Sequence, residues 1–452
     1  MSQGARKKMD YQEALAELKR ALAFGIHPSL EGIGHLVSEL GHPETTFVPI
    51  QVTGTNGKTS TTRLIDALLR ASGQKSGLYT SPELIDYTER IEIEGKRIAP
   101  EEFARLFWHV CDARERVETS GEYSGVQITE FELLTALALV AFAEHQLDFG
   151  VLEVGLGGRW DATSVVSPAV AVITGVGLDH THILGDTIPQ IAADKAMIIK
   201  PGSTPVLGAG LSEALPVILQ RCEAVGSHPR IVCRGEEASP LIEERTTRIY
   251  LHETLPNPDT LLVTRFSVKT PHALYENLEL HGPAYQAENA ATALTAVEAA
   301  LGRPLHRDDI ARALQSISFP ARFEVIRKEP LLLFDGGHNP QAAGLLAENL
   351  KLAQCRPVVA LGVFADKDYE RIIEALAPIA RDFIALEIDH PRALDVNVLA
   401  ETIESFTKKP VLALLKEPTI SDIVEITQNQ PVLITGSLSL YVLLKSYITD
   451  IC

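Results

Sequence analysis

The spacing of apolar residues divides the first 300 residues into alternating helices and strands. Apolar positions recur every three or four residues on a packed helix face and every second residue on a half-buried strand. Residues 203–280 are less regular, with strand-like pieces at 248–251 and 261–263. By these criteria we predict helices at 10–24, 64–69, 133–143 and 288–301, and strands at 48–52, 150–154 and 170–173. Short apolar strands separated by helices indicate a mostly parallel sheet covered on both faces.

A second series of strands and helices begins beyond residue 320. Residues 302–320, with Pro304 and Pro320, are typical of a connecting segment. Strands are predicted at 331–335, 357–363, 382–387, 410–414 and 431–435, with helical patterns between them. We therefore predict an α/β protein with a large domain at 1–301, a linker at 302–320 and a smaller, doubly wound, Rossmann-like domain at 321–452.

Charge and cysteine content exclude several classes of function. The 452 residues carry a formal net charge of −18, and so acidic a chain is poorly suited to bind nucleic acid or an anionic membrane. The five cysteines form no C-x-x-C pair, which favours a reducing compartment. The N-terminus lacks the apolar core of a secretory signal, and the longest nearly apolar run, 133–143, is too short to span a bilayer. We expect a cytoplasmic protein of enzyme size.

The sequence VTGTNGKTST, residues 52–61, connects a predicted strand to a predicted helix. Its G-K-T matches the second half of the common phosphate loop G-x-x-x-x-G-K-[ST], but Gly54 stands two residues too late to be the first glycine. Backbone N–H groups at a glycine turn still form a phosphate cradle, in which Lys58 would reach the terminal phosphates and Thr59 would bind Mg²⁺. The alternative is a glycine turn with an exposed lysine. The strand–loop–helix setting favours a nucleotide site.

Polar side chains follow two further strands of the large domain. Glu153 ends the strand at 150–154, and Asp179 and His180 follow the strand at 170–173. Carboxyl ends of parallel strands meet at one edge of a sheet, so these side chains are expected near the glycine loop, where a carboxylate is suited to hold a metal. Each also fits a structural role, as a strand-end glutamate or a hydrogen-bonded core histidine. Lys195, fifteen residues after His180, also fits a solvated surface lysine.

The smaller domain carries a second set of polar residues. Asp335 and His338 follow a predicted strand in LLLFDGGHNPQAA, and Arg322 lies in FPARFEV, at the approach to the same domain. The alternative is an ordinary turn at the start of a helix. Two polar sets, each at a strand end of a different domain, favour a site in a cleft between the domains.

Taken in order, these segments resemble the Mur ligase superfamily, and more narrowly its folylpolyglutamate synthases, which are often also dihydrofolate synthases. In that family the ATP loop is the short G-T-x-G-K-[GST], which accounts for the spacing of Gly54. The resemblance covers almost the whole chain, through FGIHPSLEGIGHLVSELGHPE, the ATP loop, YTSPELIDYTERI, EVGLGGRWDAT, GLDHTHILGDT, DKAMIIKPG, YQAENAATAL, FPARFEV, FDGGHNP, ADKD and GSLSL.

The resemblance implies a role for each matching residue. Lys58, His180 and Lys195 match catalytic positions, and Lys195 matches a lysine that is often carbamylated. Metal-associated positions are Ser81, Glu153 and His180, and Asp161 matches a contact with the pterin-bearing substrate. The nucleotide-binding positions are Gly54, Thr55, Asn56, Gly57, Lys58, Thr59, Ser60, Asn289, Arg322, Asp335 and His338.

Five residues depart from the family's motifs. Glu83 and Tyr285 each stand where a histidine is usual, Ser164 where asparagine is, Gly337 where alanine is, and Ala321 where glycine often precedes the arginine. None of these five is a residue to which the resemblance gives a catalytic role.

The reaction implied is ATP-dependent amide formation through an acyl phosphate, with ATP and one or two Mg²⁺. The substrates would be L-glutamate and a folate, dihydropteroate or both, acted on by a monomer without nucleic-acid or membrane partners. One alternative is a superfamily ligase acting on a UDP-linked cell-wall precursor, which the folate-type segments disfavour. A P-loop NTPase that drives switching or motion is disfavoured by the shortened loop. A non-catalytic ATP-binding module is disfavoured by the presence of Lys58, Glu153, His180 and Lys195.

Overall fold

The computed structural model describes residues 10–22, 28–120, 127–414 and 418–444. By their contacts, the residues fall into two compact units. Unit 1 comprises Met1–Ile249, Val268–Tyr275 and Glu288–Ala313, and unit 2 comprises Tyr250–Ser267, Glu276–Ala287 and Leu314–Cys452. Domains at 1–301 and 321–452 remain a prediction, because a division by contacts does not establish independent folding.

Helices and strands alternate through the first 249 residues. The helices are α1 (Tyr11–Ala21), α2 (Glu31–Glu39), α3 (Lys58–Ala71), α4 (Pro100–Thr119), α5 (Glu130–Glu144), α6 (Thr181–Leu184), α7 (Ile188–Lys195) and α8 (Leu215–Ala224). The strands are β1 (Val48–Thr53), β2 (Ser76–Tyr79), β3 (Ile91–Ile93), β4 (Lys96–Arg97), β5 (Phe149–Glu153), β6 (Val170–Ile173), β7 (Thr204–Leu207) and β8 (Arg230–Arg234).

β1 lies inside a larger sheet, in which the eight strands named above follow the order β8-β7-β6-β1-β5-β2-β3-β4. It pairs in parallel with β5 and β6, which sets Val52 opposite both Glu153 and Val172. The loop after β1 and the polar residue ending β5 therefore lie at the same edge. Helix α3 packs on β1, β2 and β5, and α1, α2, α4 and α5 enclose an apolar core around Phe103, Phe107 and Phe142.

The middle of the chain contributes segments alternately to unit 1 and unit 2. It contains β9 (Thr246–Asn257), β10 (Leu261–Lys269), β11 (Leu274–His281), α9 (Ala284–Leu301) and α10 (Arg307–Ser316). The strand-like pieces at 248–251 and 261–263 lie in β9 and β10. The predicted linker at 302–320 contains α10.

Unit 2 holds a second, mostly parallel sheet in the order β12-β13-β17-β14-β15-β16, in which only β12 runs antiparallel to its neighbour. Its core gathers Leu333, Val359 and Leu433 from the strands. The elements are β12 (Glu324–Lys328), β13 (Leu331–Asp335), α11 (Pro340–Leu352), β14 (Val358–Leu361), α12 (Tyr369–Leu376), β15 (Asp382–Leu386), α13 (Val396–Thr407), β16 (Leu412–Leu414), α14 (Ile420–Ile426) and β17 (Val432–Thr435).

The predicted fold class is confirmed, and each helix and strand predicted by residue number is present. The helix predicted at 64–69 is longer, Lys58–Ala71, and the other predicted ends lie within a few residues of those observed. The helix predicted at 10–24 ends at Ala21, and residues 23 and 24 lie outside the described residues. Helices α2, α4 and α8 and strands β2, β7 and β8 are among the elements that were not predicted. Strand β7 has only four residues and contains Pro205, which is unusual inside a sheet. Along the described ranges of the chain, no helix is long and apolar enough to cross a membrane.

Candidate functional site

The glycine loop between β1 and α3 has a shape that requires its glycines. Gly54 and Gly57 have φ of 157° and 84°. A Cβ on Gly54 would lie 2.0 Å from Thr174 Oγ1, and one on Gly57 would lie 2.7 Å from Asn289 Oδ1. The loop is therefore closely covered, and Asn289, which the sequence predicts to contact nucleotide, lies against it.

The segment after β6 braces this loop. Thr55 N donates to Gly175 O (2.8 Å), and Gly177 N donates to Thr55 Oγ1 (2.9 Å). Thr174 Oγ1 donates to Asn56 O (2.6 Å). The Asn56 carbonyl and the Thr55 hydroxyl of the loop are thus hydrogen-bonded to residues 174–177, which fixes the turn at the N-terminus of α3. Backbone N–H groups at a helix N-terminus favour an anion.

Two lysines converge on one carbonyl of the loop. Lys58 Nζ donates to Gly54 O at 3.0 Å, and Lys195 Nζ donates to the same oxygen at 2.9 Å. Lys195 is 4% exposed, so the solvated-lysine alternative is excluded. Burial and, next, the charge of Lys58 lower the pKa of Lys195 to about 7. The site thus places two lysine side chains side by side where the phosphates of a nucleotide are predicted, and favours the neutral amine of Lys195.

His180 lies beside the two lysines. A small pocket next to the loop is lined by Lys58, Lys195, Asp179 and His180. His180 has a left-handed backbone (φ 49°), and its Nε2 lies 3.9 Å from Asp179 Oδ2. The pocket therefore brings together the three residues predicted to be catalytic.

Oxygen atoms suited to a hard cation surround Glu153, which is 1% exposed. Thr59 Oγ1 donates to Glu153 Oε1 (2.7 Å), and Ser81 N donates to Oε2 (3.3 Å). Ser81 Oγ is buried and has no hydrogen-bond partner among the described residues, so it has a lone pair available. A carboxylate and two hydroxyls fit Mg²⁺, which prefers oxygen ligands. Within the described residues, no three or more His, Cys, Asp and Glu side chains form a metal-binding group, so ligation by His180 stays a prediction.

A larger cavity of about 400 Å³ adjoins this pocket. Its apolar lining includes Phe131, Trp160 and Ile183, of which Trp160 and Ile183 expose 49% and 47% of their surface. Leu156 and Leu184 line both the cavity and the lysine pocket. A cavity of this size suits a small organic molecule, and its apolar exposed walls favour a flat, partly apolar one. The sequence motifs quoted above contained Trp160, but nothing in them indicated that it is exposed.

Asp161 lines the same cavity, yet its carboxylate is bonded to its own loop. Oδ1 accepts from Thr163 N (3.0 Å) and Thr163 Oγ1 (2.5 Å), and Oδ2 accepts from Leu156 N (3.0 Å). Burial raises the pKa of Asp161. The carboxylate therefore fixes the shape of residues 154–161, called here the 154–161 loop, and its predicted contact with substrate stays a prediction.

In unit 2, the predicted residues surround a tight turn. Asp335 accepts from Phe323 N and Gly337 N, both at 2.8 Å, and burial raises its pKa while nearby Arg322 lowers it. His338 Nδ1 lies 3.0 Å from Gly336 O. A Cβ on Gly336 would lie 2.7 Å from Arg322 Nη1. Arg322, Asp335 and His338 thus belong to one cluster.

The structure accounts for three of the departures from the motifs. Glu83 pairs with buried Arg90 at 2.5 Å, which compensates its charge. Ser164 Oγ donates to Gly158 O at 2.6 Å, inside the 154–161 loop. Ala321 has a φ of 57°, in the left-handed region that glycine occupies without strain, which is why glycine suits this position.

Two family models match the chain. The Mur ligase middle domain matches residues 52–206, which include the glycine loop, Glu153 and Lys195. The glutamate ligase domain of Mur ligases matches residues 321–438, which include Arg322, Asp335 and His338.

Similar proteins cover nearly the full chain. The dihydrofolate synthase/folylpolyglutamate synthase of Bacillus subtilis is 35% identical over 451 residues, covering 95% of this chain and 96% of that protein. The structure of Mycobacterium tuberculosis folylpolyglutamate synthase complexed with ADP and AMPPCP is 29% identical, with a TM-score of 0.86, covering 97% and 99% of the two chains. The Yersinia pestis bifunctional enzyme, complexed with AMPPNP and a manganese ion, is 25% identical with a TM-score of 0.80, covering 99% and 100%.

Proposed function

The chain belongs to the Mur ligase family and, within it, to the dihydrofolate synthase/folylpolyglutamate synthases, and on this premise we propose how its residues carry out the ATP-dependent ligation of L-glutamate to a folate. One observation carries the proposal: Leu156 and Leu184 line both the lysine pocket and the larger cavity. A carboxylate on a molecule in the cavity thereby comes within reach of a phosphate held at the glycine loop.

The reaction has two steps, neither of which needs a covalent enzyme intermediate. A carboxylate oxygen of the folate attacks the γ-phosphorus of ATP, and the bond to the leaving oxygen of ADP breaks. The α-amine of glutamate then attacks the acyl carbonyl, loses a proton and displaces phosphate. Catalysis of such steps rests on alignment and on stabilising developing negative charge.

The glycine loop and Lys58 hold the phosphates of ATP in this proposal. The N–H groups at the start of α3 face an anion, and Lys58, which bonds Gly54 O, needs only a side-chain rotation to reach a phosphate. Asn289, close to Gly57, contacts the nucleotide from the α9 side. Arg322, Asp335 and His338 supply further nucleotide contacts from unit 2, and Thr55, Asn56 and Ser60 complete the loop.

Thr59, Ser81 and Glu153 would hold Mg²⁺ beside those phosphates, with His180 as a further ligand. The unpaired oxygen of Ser81 and the buried carboxylate of Glu153 support this assignment. When bound, Mg²⁺ would supply positive charge that offsets the negative charge of the phosphates. The Thr59–Glu153 hydrogen bond orients the carboxylate toward the loop.

Lys195 is carbamylated in the active enzyme under this proposal. A free ammonium would repel a metal and offers it no lone pair, whereas a carbamate formed from the neutral amine and CO₂ is an anion with two oxygens. Burial lowers the pKa of Lys195 to about 7, so the amine required is abundant near neutral pH.

Substitution of buried Lys195, with half-buried Lys200 as the control, tests the carbamate. Lys195→Ala is expected to be nearly inactive and to recover partly in acetate, which replaces the missing carboxylate. The control is Lys200→Ala, a lysine whose ammonium bonds Ser164 O and Val166 O and whose loss acetate should not repair. A fully active Lys195→Ala protein, together with an unmodified Lys195 mass in the wild type, would refute the carbamate.

The larger cavity takes the folate in this proposal, with Phe131 and Trp160 as apolar walls for the bicyclic ring and Asp161 at its edge. We further propose that the chain acts on both dihydropteroate and reduced folates, as a cytoplasmic monomer. Light scattering of the purified protein tests the monomer.

The deciding experiment offers purified protein ATP, Mg²⁺ and glutamate with dihydropteroate, a reduced folate or a UDP-linked precursor in parallel. Separation of products by mass should show one added glutamate on dihydropteroate and one or more on the folate. Addition to the UDP-linked precursor alone would identify a cell-wall ligase. ATP hydrolysis independent of every acceptor would identify an NTPase.

A further inference from the structure

Strand β1 carries two buried polar side chains on one face. Gln51 and Thr53 are both 0% exposed, and their two-residue spacing places them on the same side of the strand. The register sets Gln51 beside Leu152 and Ala171, which offer its amide no polar side chain. Burying an amide group costs free energy unless the group is hydrogen-bonded. The hydrogen-bond partners of Gln51 therefore indicate its structural role.

Those partners belong to the 154–161 loop and the residues that follow it. Gln51 Nε2 donates to Thr163 Oγ1 (3.0 Å) and to Ser164 Oγ (2.9 Å). Thr163 Oγ1 donates onward to Asp161 Oδ1 (2.5 Å), and Ser164 Oγ donates to Gly158 O (2.6 Å). Thr53 Oγ1 donates to Gly157 O (2.6 Å).

The direction of every bond in this network is fixed. Gly158 O can only accept, and Asp161 Oδ1 already accepts from Thr163 N, so both hydroxyl protons are committed to Gly158 and Asp161. The hydroxyls can then only accept from Gln51, and its NH₂ group must face them. The amide oxygen is left buried and unpaired within the described structure, a cost that the two donated bonds offset.

We propose that Gln51 is a positioning residue for the acceptor-substrate cavity, fixing the 154–161 loop through Thr163 and Ser164. The strand that leads into the phosphate loop thereby also sets the wall of the cavity, so the two substrates are aligned by one rigid element. The identity of the acceptor as a folate rests on the proposed function, whereas the anchoring of the loop does not.

Variants of matched shape separate this role from general packing. Gln51→Met fills the same space without a donor, and Gln51→Glu places a carboxylate, which cannot donate, against two committed hydroxyls. The KM for the acceptor is expected to rise about tenfold, the size of one lost buried hydrogen bond, and more in Gln51→Glu. The KM for ATP should change less than twofold, because residues 174–177 brace the phosphate loop separately.

Thr163 provides the rescue and the coupling test. Thr163→Ser keeps the hydroxyl and should retain the wild-type KM, whereas Thr163→Val should resemble Gln51→Met. If both act through one chain of bonds, the double variant Gln51→Met/Thr163→Val should raise the KM no more than the larger single change. Multiplicative effects would overturn the shared path.

A readout independent of turnover comes from the loop itself. Of the two tryptophans, Trp160 lies in the 154–161 loop, so Trp108→Phe leaves it as the single reporter. Gln51→Met in that background should increase acrylamide quenching of Trp160. Unchanged quenching with an acceptor KM within twofold of wild type would overturn the proposal, as would equal rises in both KM values with a lowered Tm. If the wild type extends no folate, the proposed function fails, and quenching still decides the anchoring.

Discussion

In unit 1, side chains from β1 and the carboxylate of Asp161 hold the 154–161 loop, whereas in unit 2 the carboxylates of Asp335 and Glu324 hold the turn around Arg322 through backbone N–H groups. In the 154–161 loop the residue with a left-handed backbone is Gly157, whose φ is 67°. Glycine adopts this conformation without steric strain because it has no Cβ. In unit 2 the residues on either side of Arg322, Ala321 and Phe323, take φ of 57° and 49°. Each left-handed L-residue costs roughly 1–2 kcal/mol.

The difference shows two ways of fixing a site loop. The loop of unit 1 has a shape that its glycines already favour, and several hydrogen bonds then select it. The turn of unit 2 is strained locally and is held by Asp335, which accepts from Phe323 N and Gly337 N, and by Glu324, which accepts from Ala321 N. We therefore expect unit 1 to tolerate the loss of one hydrogen bond better than unit 2.

The largest expected effect tests whether Lys58 in unit 1 stabilises the transition state of phosphoryl transfer. Lys58→Ala should lower the rate of amide synthesis by about 30- to 1000-fold, because one charge-assisted contact in the transition state is worth roughly 2–4 kcal/mol. Steady-state kinetics of the folded variant measures it. The control is Lys328→Ala, which removes an exposed lysine of unit 2 paired with Asp259 and should leave the rate of amide synthesis near the wild-type value. Near-normal turnover by Lys58→Ala would contradict the assignment.

Glu153→Gln should raise the Mg²⁺ concentration for half-maximal activity by about tenfold or more. A neutral amide is a weaker ligand for a hard cation than a carboxylate, though it can still accept from Thr59. A Mg²⁺ titration at saturating ATP measures the shift, with exposed Glu223→Gln on α8 as the control. An unchanged Mg²⁺ requirement would remove Glu153 from the metal site.

Matched Asp→Asn changes compare the two loops directly. Asp335→Asn should lower the free energy of unfolding of unit 2 by about 2–3 kcal/mol, since one N–H loses its acceptor where the backbone is strained. Asp161→Asn should cost unit 1 about 1–2 kcal/mol, because Thr53 and Gln51 still hold its loop. Urea unfolding followed by tryptophan fluorescence reports on unit 1, which contains Trp108 and Trp160, and circular dichroism reports on both units. An equal or larger loss for Asp161→Asn would break the comparison.

The pH dependence of stability should carry the signature of Lys195. Burial and the charge of Lys58 lower its pKa from 10.5 to about 7, so the unfolded chain binds this proton more tightly between those values. The free energy of unfolding contributed by Lys195 should then rise with pH from about 7 to 10.5 and be lowest below 7. Urea midpoints of wild type and Lys195→Met, compared across this range, measure the slope. Parallel curves would mean that the folded chain holds Lys195 with an ordinary pKa.

The smallest expected effect is a gain in unit 2. Ala321→Gly removes a left-handed Cβ strain of roughly 1–2 kcal/mol and adds about 0.5–1 kcal/mol of backbone entropy to the unfolded chain. The free energy of unfolding of unit 2 should therefore rise by up to about 1 kcal/mol, measured by urea titration followed by circular dichroism. A loss of stability would show that the methyl group's packing outweighs the strain.

Local pattern was enough to predict the alternation of helices and strands, the glycine turn between β1 and α3, and the position of Glu153 at the end of β5. Apolar periodicity and glycine placement act over a few residues, and parallel strands bring their carboxyl ends together. The burial of Lys195 depends on Gly54, 141 residues away, and the partners of Gln51 lie 112 and 113 residues away. Contacts between residues so far apart in the sequence cannot be predicted from local spacing. For this reason the sequence also allowed Lys195 to be a solvated surface lysine, and it did not indicate a role for Gln51.

The resemblance to a family supplied residue positions but not the contacts each side chain makes. Asp161 was assigned to substrate because of its motif, and its oxygens turn out to accept from Leu156 and Thr163. The strain at Ala321 was likewise hidden, because a backbone angle cannot be inferred from a substitution alone.

The carbonyl of Gly54 accepts from both Lys58 and Lys195, so under the proposed function nucleotide binding is an exchange of partners. A phosphate oxygen replaces Gly54 O as the acceptor of Lys58, so the number of hydrogen bonds changes little. The gain in free energy then comes from replacing a carbonyl dipole with a full negative charge. The same exchange releases Gly54 O for Lys195, whose amine must leave that carbonyl to become a carbamate.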